Sequence, residues 1–429
     1  MTVNPHSPIP MTSGTSIFAL LVGIATTLGL APLTAAAEPT LDARPRYFGA
    51  SPGALAQSKA RLAADDTSLR PALDALIERA DKALKAKPPS VTHKTKPGAS
   101  GDLHDYASQA PYLWPDPSST NGLPYIARDG RVNPESRTSA SDQQRVELLG
   151  QTVESLALAY YFTGKEAYAE HAARCLRVWF LDPATRMTPH MNQAQAVPGK
   201  NTGRGIGIIE AGGIIEAGDT AGLLAGSPHW SAKDDTALRA WLSDFLDWLL
   251  TSKNGKDEAA MKQNHGTMYD VQVARLALVL GRPEAAKQII EAAKEKRIAV
   301  QIEPDGSQPL ELKRTKSFNY SRLNLRGLCA LATLGEWVGV DLWRFETPDG
   351  RGIRTALEFM LPYVQTPPKK WPYEQIVSIN RSELAGAFRQ AAVAYREPRY
   401  EAVVQGFPGI ERAPFRLLNA PFPTTTPRK

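Results

Sequence analysis

The stretch Asp142-Gln-Gln-Arg-Val-Glu-Leu-Leu-Gly-Gln-Thr-Val-Glu-Ser-Leu-Ala-Leu-Ala-Tyr-Tyr-Phe-Thr163 runs through Gly164-Lys165 into Glu166-Ala-Tyr-Ala-Glu-His-Ala-Ala-Arg-Cys-Leu-Arg-Val-Trp-Phe180. Its apolar residues recur every three or four positions, the period of a helix with one buried face. Two helices with so short a break between them must fold back as an antiparallel hairpin. The pattern repeats along the chain. Leu69, Leu73, Leu76 and Ile77 mark a helix over 69–84 that ends on Lys82, Lys85 and Lys87. Further helices are predicted over 207–225, 231–252, 267–281, 283–299, 318–338, 351–364 and 382–396, with a tight turn at Gly281-Arg282-Pro283. Strand alternation is scarce; Ile298–Glu303 reads as a short strand or a helix end. No fixed-period repeat accompanies the helices, which argues against a regular solenoid. The expectation is an all-α chain, an incomplete α/α toroid of helical hairpins with long loops, forming a single domain over 38–420.

Two intervals break the helical pattern. Residues 88–140 are rich in Pro, Gly, Ser, Asp and aromatics, and residues 181–206 form a second irregular stretch. Long loops in compact domains usually bind something, and aromatic side chains there suit sugar faces. The end of the chain, 421–429, reads as a flexible Pro/Thr tail.

The chain has 429 residues, a formal charge of +6 and 42% hydrophobic residues, the profile of a globular protein with a sizeable core. Residues 1–37 contain no Lys, Arg, Asp or Glu; the apolar run Ile17–Leu33 leads to Ala35-Ala36-Ala37. This reads as a secretory signal peptide, so the mature protein is expected in the periplasm or outside the cell, with no membrane contact after cleavage. The positive charge suits a polyanionic partner. No nucleic-acid module signature is present, so nucleic acid is not expected. The two cysteines, Cys175 and Cys329, lie in apolar helical contexts and are expected as buried thiols, with one bridge between them open as the alternative. The seven histidines are scattered without metal-ligand spacing, so neither a metal nor another cofactor is expected.

Candidate chemistry lies in Gln263-Asn264-His265 and in Glu311-Leu-Lys-Arg-Thr-Lys-Ser-Phe-Asn-Tyr320. Cutting a uronate linkage by elimination requires removal of the C5 proton beside a charged carboxylate. That carboxylate must be neutralised and the developing enolate stabilised. A base for C5 and an acid for O4 complete the set. Asn264 and His265 can hydrogen-bond the carboxylate, Arg314 can neutralise it, and Tyr320 can be the base if nearby positive charge lowers its pKa. In β-mannuronate and glucuronate, H5 and O4 lie on one side of the ring, so one tyrosine can serve both steps. Each residue also has an ordinary structural reading: Asn264 as a helix N-cap, His265 as a surface histidine, Arg314 as the partner of Glu311, Tyr320 as a packing residue. Tyr112, Trp114, Asn201, Arg204, His104, His190 and Tyr269 are the candidate substrate-binding residues.

The fragments His104–Pro117, Met191–Pro198, Gly203–Glu210, Asn264–Asp270 and Glu311–Asn324 together resemble the alginate lyase-like superfamily of polysaccharide lyases. The likeness covers about residues 100–365. It implies an incomplete α/α toroid that cleaves a β-1,4-linked polyuronate by syn β-elimination. Asn264, His265 and Arg314 would neutralise the carboxylate, Tyr320 would act as base and acid, and the loops 104–117 and 190–210 would line the substrate groove. The segment between Arg314 and Tyr320 is one residue shorter than in the bacterial alginate lyases proper. Gly266-Thr267-Met268 stands where those enzymes carry Ser and an aromatic residue. In both respects the chain is more similar to outlying branches that include glucuronan-cleaving enzymes. The expected partner is therefore an acidic polysaccharide, glucuronan or polymannuronate-type alginate. Two alternatives are a glycoside hydrolase on the same toroid and a non-catalytic protein that binds acidic glycans.

Overall fold

Residues 45–420 are described by the structure, a computed structural model. The leader assigned to 1–37 and the tail assigned to 421–429 lie outside the described residues. The helices, in chain order, begin with α1 Ala54–Ala63, α2 Arg70–Ala83, α3 Gln143–Thr163, α4 Glu166–Leu176, α5 Gly212–Thr220 and α6 Ala232–Thr251. They continue with α7 Lys253–Ala259, α8 Asn264–Val279, α9 Pro283–Ala293, α10 Ala299–Gln301, α11 Pro309–Leu312 and α12 Ser317–Glu336. The last are α13 Ile353–Val364, α14 Ala385–Tyr395, α15 Pro398–Gln405 and α16 Phe415–Leu418. None of the described helices is long and apolar enough to cross a membrane.

Each predicted helical span contains a helix, though 207–225 is α-helical only in its middle, and the hairpins close where the turns indicated. Gly164 ends α3 with φ 71°, and Gly281 follows α8 with φ 72°, a left-handed conformation that glycine adopts without a Cβ penalty. Helix α3 packs on α2, α4 and α5; helix α8 packs on α5, α6, α7, α9 and α12. Helix α8 is apolar or buried along nearly its whole surface, from Asn264 to Val279, as expected of a helix enclosed by others.

Three details depart from expectation. The span 207–225 is not one helix: a 3-10 turn over Gly205–Ala211 precedes α5, and another over Ala221–Leu224 follows it. The span Ile298–Glu303 ends a helix, α9 being continued by the wider turn Lys294–Ile298 and by α10. Cys175 and Cys329 are both free and buried, so the alternative of a bridge fails.

The irregular stretches hold the described strands. β1 Ala107–Gln109 pairs in parallel with β4 Gln193–Ala196, and β2 Leu113–Trp114 pairs antiparallel with β3 Ile126–Ala127. The first long loop is thus tied to the second. These strands are two to four residues long, too short for alternation to show in sequence.

The join between α7 and α8 is fixed by Arg297. Its guanidinium pairs with Asp270 at 2.8 and 3.1 Å and donates to the carbonyls of Met261 (2.6 Å) and Ala259 (2.9 Å). Gly266 leaves the space for it, because a Cβ there would meet the Met261 carbonyl and the Arg297 guanidinium. Gly266→Ser should therefore destabilise the protein by about 1–3 kcal/mol, the range for overpacking against unyielding neighbours. Chemical denaturation checks this, and an unchanged midpoint would contradict it.

A second buried cluster pins the segment ahead of α1. The Tyr47 hydroxyl donates to Glu216 at 2.8 Å and lies 3.4 Å from Glu154. Arg275 pairs with Glu216 (2.7 Å) and Asp219 (2.6 Å), and Asp219 accepts the backbone N–H groups of Phe48 and Gly49. Burial first, and the Glu216 charge second, push the Glu154 carboxyl up to about 8. An acid whose folded-state pKa is raised binds its proton more tightly in the folded protein, so stability falls as pH rises through the window from its unfolded value, about 4.3, to about 8. Thermal melts across that window should show this decline in the native protein and less of it in Glu154→Gln. Parallel pH profiles for the two would remove Glu154 as the cause.

Candidate active site

Asn264 is the first residue of α8, and its cap is its neighbour. The Gln263 side chain accepts the His265 N–H at 2.9 Å. This corrects the N-cap reading of Asn264. The Asn264 N–H and its side-chain amide instead donate, each at 2.7 Å, to the two oxygens of Glu311. Glu311 is 1% exposed, and burial pushes its carboxyl up from the usual range while the two Asn264 bonds oppose that shift. Asn264 is itself fully buried, and its Oδ1 has no protein partner. Its amide keeps a second N–H beyond the one given to Glu311.

Three residues after Glu311 stands Arg314, which does not pair with Glu311 as the structural reading supposed. Its guanidinium forks onto Asp129, from the first long loop, at 2.5 and 3.1 Å. Asp129 also accepts from the Thr315 N–H and hydroxyl, and these bonds, led by that of Arg314, hold its carboxyl down at about 2. Arg314 Nη2 donates to the Tyr320 hydroxyl at 2.9 Å, and Tyr320 donates to the Tyr112 hydroxyl at 3.0 Å. The chain Asp129–Arg314–Tyr320–Tyr112 thus closes the first loop onto the start of α12. Burial first, and the Tyr112 hydroxyl next, push the Tyr320 phenol well up; Arg314 opposes this and is outweighed. The expectation that positive charge would lower this phenol is not met: burial outweighs Arg314, and Asp129 counters its charge.

His265 follows Asn264 on α8. Its Nδ1 lies 2.7 Å from an oxygen of the fully buried Glu258, on α7. The Arg204 guanidinium is close enough to Glu258 and Glu210 to feel both charges, and its Nη2 donates to Gln195 at 3.0 Å. Glu311 in turn feels the charges of both Arg314 and His265. Asn264 is thus bonded to Glu311, three residues ahead of the arginine in the Arg314–Tyr320–Tyr112 chain, and His265 is near enough to Glu311 to act on its charge.

The other candidates divide. Asn201 closes its own turn, its Oδ1 accepting the Val197 N–H, and it borders a cavity of about 300 Å³ between the two loops with Gln109, Glu135 and Gln193. Trp114 donates to the Arg131 carbonyl and lies under Arg128, so it anchors the first loop. His104 bonds the Arg186 carbonyl at 2.6 Å, while His190 faces Asp105 at 3.4 Å. Neither histidine bonds Arg314 or Tyr320. Tyr269 is a correction: it is 6% exposed and its hydroxyl donates to the Leu249 carbonyl at 2.9 Å. It follows His265 by one helical turn, but on a helix enclosed on all sides that position faces the core. Sequence reasoning passed over Glu258, seven residues before His265 but on the preceding helix, and Asp129, 185 residues before Arg314; neither belongs to a motif. Among the described residues no group of acidic, histidine or cysteine side chains is arranged to hold a metal ion.

Comparison with known proteins agrees with this architecture. The alginate lyase family model matches residues 90–371. The crystal structure of an alginate lyase from Bacteroides ovatus is 37% identical and superposes with a TM-score of 0.83, covering 88% of this chain and 100% of that one. Alginate lyase A1-III from Sphingomonas species A1 shares 17% identity and the fold, with a TM-score of 0.56 over 90% of this chain and 100% of that one. The same enzyme has been crystallised as a histidine-to-alanine variant with a tetrasaccharide; that structure is 16% identical, with a TM-score of 0.56 over 90% of this chain and 99% of that one. A search of curated protein sequences returned no match. The helical hairpins thus form the α/α toroid of these enzymes, and the chain belongs to the alginate lyase family and is a polysaccharide lyase.

Proposed function

We propose that this protein cleaves a β-1,4-linked polyuronate by syn β-elimination, with Tyr320 as both base and acid. The observation that carries the reading is the arginine-bound phenol, Arg314 Nη2 to Tyr320 at 2.9 Å, tied through Glu311 to the Asn264–His265 pair. His265, through Nε2, and Arg314 hold the C6 carboxylate, with Arg314 neutralising it, and together they stabilise the enolate. The spare N–H of Asn264 joins them, since an unsatisfied buried polar group costs about 1–3 kcal/mol that a ligand can recover. The Tyr320 phenol first gives up its own proton to solvent, and its oxygen then takes the C5 proton. The electrons of the C5–H bond form the C4–C5 double bond, the C4–O4 bond breaks, and Tyr320 returns the proton to O4. The bonds from Arg314 and from a rotated Tyr112 hydroxyl hold the phenolate needed for the first step.

The relatives called alginate lyases support a mannuronate-type alginate as substrate, and a tetrasaccharide complex of one of them supports a sugar chain in the groove. The short Arg314–Tyr320 segment supports glucuronan as the second arm. The apolar leader supports export. A hydrolase needs two free carboxyl groups across the scissile bond. Asp270 is paired with Arg297, and Glu210 accepts from Tyr106, Ser108 and Gln195. Asp105 faces His190 and Gln193, and Asp102 accepts the His104 N–H. All four are occupied, which favours elimination.

A panel of polymannuronate, polyguluronate and glucuronan, followed by ultraviolet absorbance of the unsaturated product, tests the reading. Polymannuronate or glucuronan should give rising absorbance, and Tyr320→Phe should lower kcat by about 10²–10⁴-fold, the usual span for a lost acid–base group. Because the resting phenol is protonated, kcat/KM should climb as pH is raised toward the alkaline range. A Tyr320→Phe protein with the native rate and pH profile would remove this tyrosine from the chemistry.

A further inference from the structure

Glu258 has no role in the chemistry described above, yet its placement is demanding. It is a carboxylate with no exposed surface, a state that is costly for a charge unless it is paired. One oxygen meets His265 Nδ1 at 2.7 Å; the other has no hydrogen-bond partner. The backbone is built closely around it. Gly205 lies so near α7 that a Cβ on it would come within 2.6 Å of the Asn254 carbonyl and 2.9 Å of Asp257 Cβ. The Ser252 hydroxyl caps α7 by accepting the Gly255 N–H at 3.0 Å. Helix α7 therefore has a fixed position against both the 205–211 turn and α8. Arg204, at the entrance to that turn, is the other nearby charge.

The 2.7 Å distance between Nδ1 and the carboxyl oxygen fits a bond in either direction; a carboxylate only accepts hydrogen bonds, so with Glu258 in that form Nδ1 would hold a proton and Nε2 would be the nitrogen left to face a ligand. We propose that Glu258 is a positioning residue that holds the His265 ring by its Nδ1–H, so that Nε2 alone presents to the uronate carboxylate. This rests on the role given to His265 above. The two groups act in sequence: Glu258 sets the tautomer and the tilt of the ring, and Nε2 meets the substrate carboxylate. A glutamine at 258 keeps the size but can turn an N–H toward Nδ1, which reverses the tautomer.

The test uses the full chain with ¹⁵N-labelled histidine, His265 being assigned by loss of its signals in His265→Gln. Above the ring's titration, found in the same spectra, the native protein should show the Nδ1–H tautomer at His265. Glu258→Gln should shift it toward Nε2–H and lower kcat on the best polyuronate by about tenfold or more, as when a histidine loses its orienting carboxylate. Glu258→Asp, which keeps the charge, should recover part of both. An Nε2–H tautomer in the native protein overturns the proposal even if neither variant folds. So does a folded Glu258→Gln with unchanged tautomer and rate. Failure of the elimination reading shows separately, as native activity in Tyr320→Phe, and leaves the tautomer result standing by itself.

Discussion

The site depends on one buried carboxylate. Glu311 accepts the backbone and side-chain N–H groups of Asn264 at 2.7 Å each. An unsatisfied buried donor or acceptor is expensive, whereas a charged acceptor at a helix start is favoured by the unpaired N–H groups there and by the helix dipole. Alongside the local Gln263 cap, Glu311 takes the Asn264 N–H and so binds the start of α8 to the segment that runs into α12. Those segments are distant in sequence, and their union places His265 on one side and Arg314 with Tyr320 on the other. Loss of that carboxylate would leave Asn264 without its buried acceptor and release the geometry of both sides.

A second level of order comes from the loops. Asp129 and Tyr112 belong to an irregular stretch, yet they bond Arg314 and Tyr320 directly. The parallel pairing of β1 with β4 ties that stretch to the second loop. Asp129 counters the arginine, and burial holds the Tyr320 phenol in its protonated form. In the mechanism proposed above, a sugar acid would compete with Asp129 for the guanidinium, so that binding and activation would be parts of one exchange of partners.

The helices were legible because burial imposes a period, and glycine at 164 and 281 marks the reversals. Arg314 and Tyr320 were legible because six residues place both at the entry to α12. Three kinds of feature were not. Short strands have no room for alternation. Partners such as Glu258 and Asp129 are single acidic residues whose meaning comes only from a neighbour on another element, the next helix for Glu258 and the start of α12 for Asp129. Tyr269, named as a candidate substrate-binding residue, shares a helix face with His265 but is buried, its hydroxyl held by the Leu249 carbonyl, a partner on another helix that the sequence does not show. Asn264 was read as its own cap, since local capping is the common solution and a carboxylate supplied from 47 residues away leaves no local sign.

The most direct test of the account is an experimental structure of the Tyr320→Phe protein with a bound mannuronate or glucuronate tetramer. The account predicts a C6 carboxylate between His265 Nε2 and the Arg314 guanidinium, with C5 facing the ring of residue 320. A tetramer seated elsewhere, or a carboxylate held only by residues of the two loops, would contradict it.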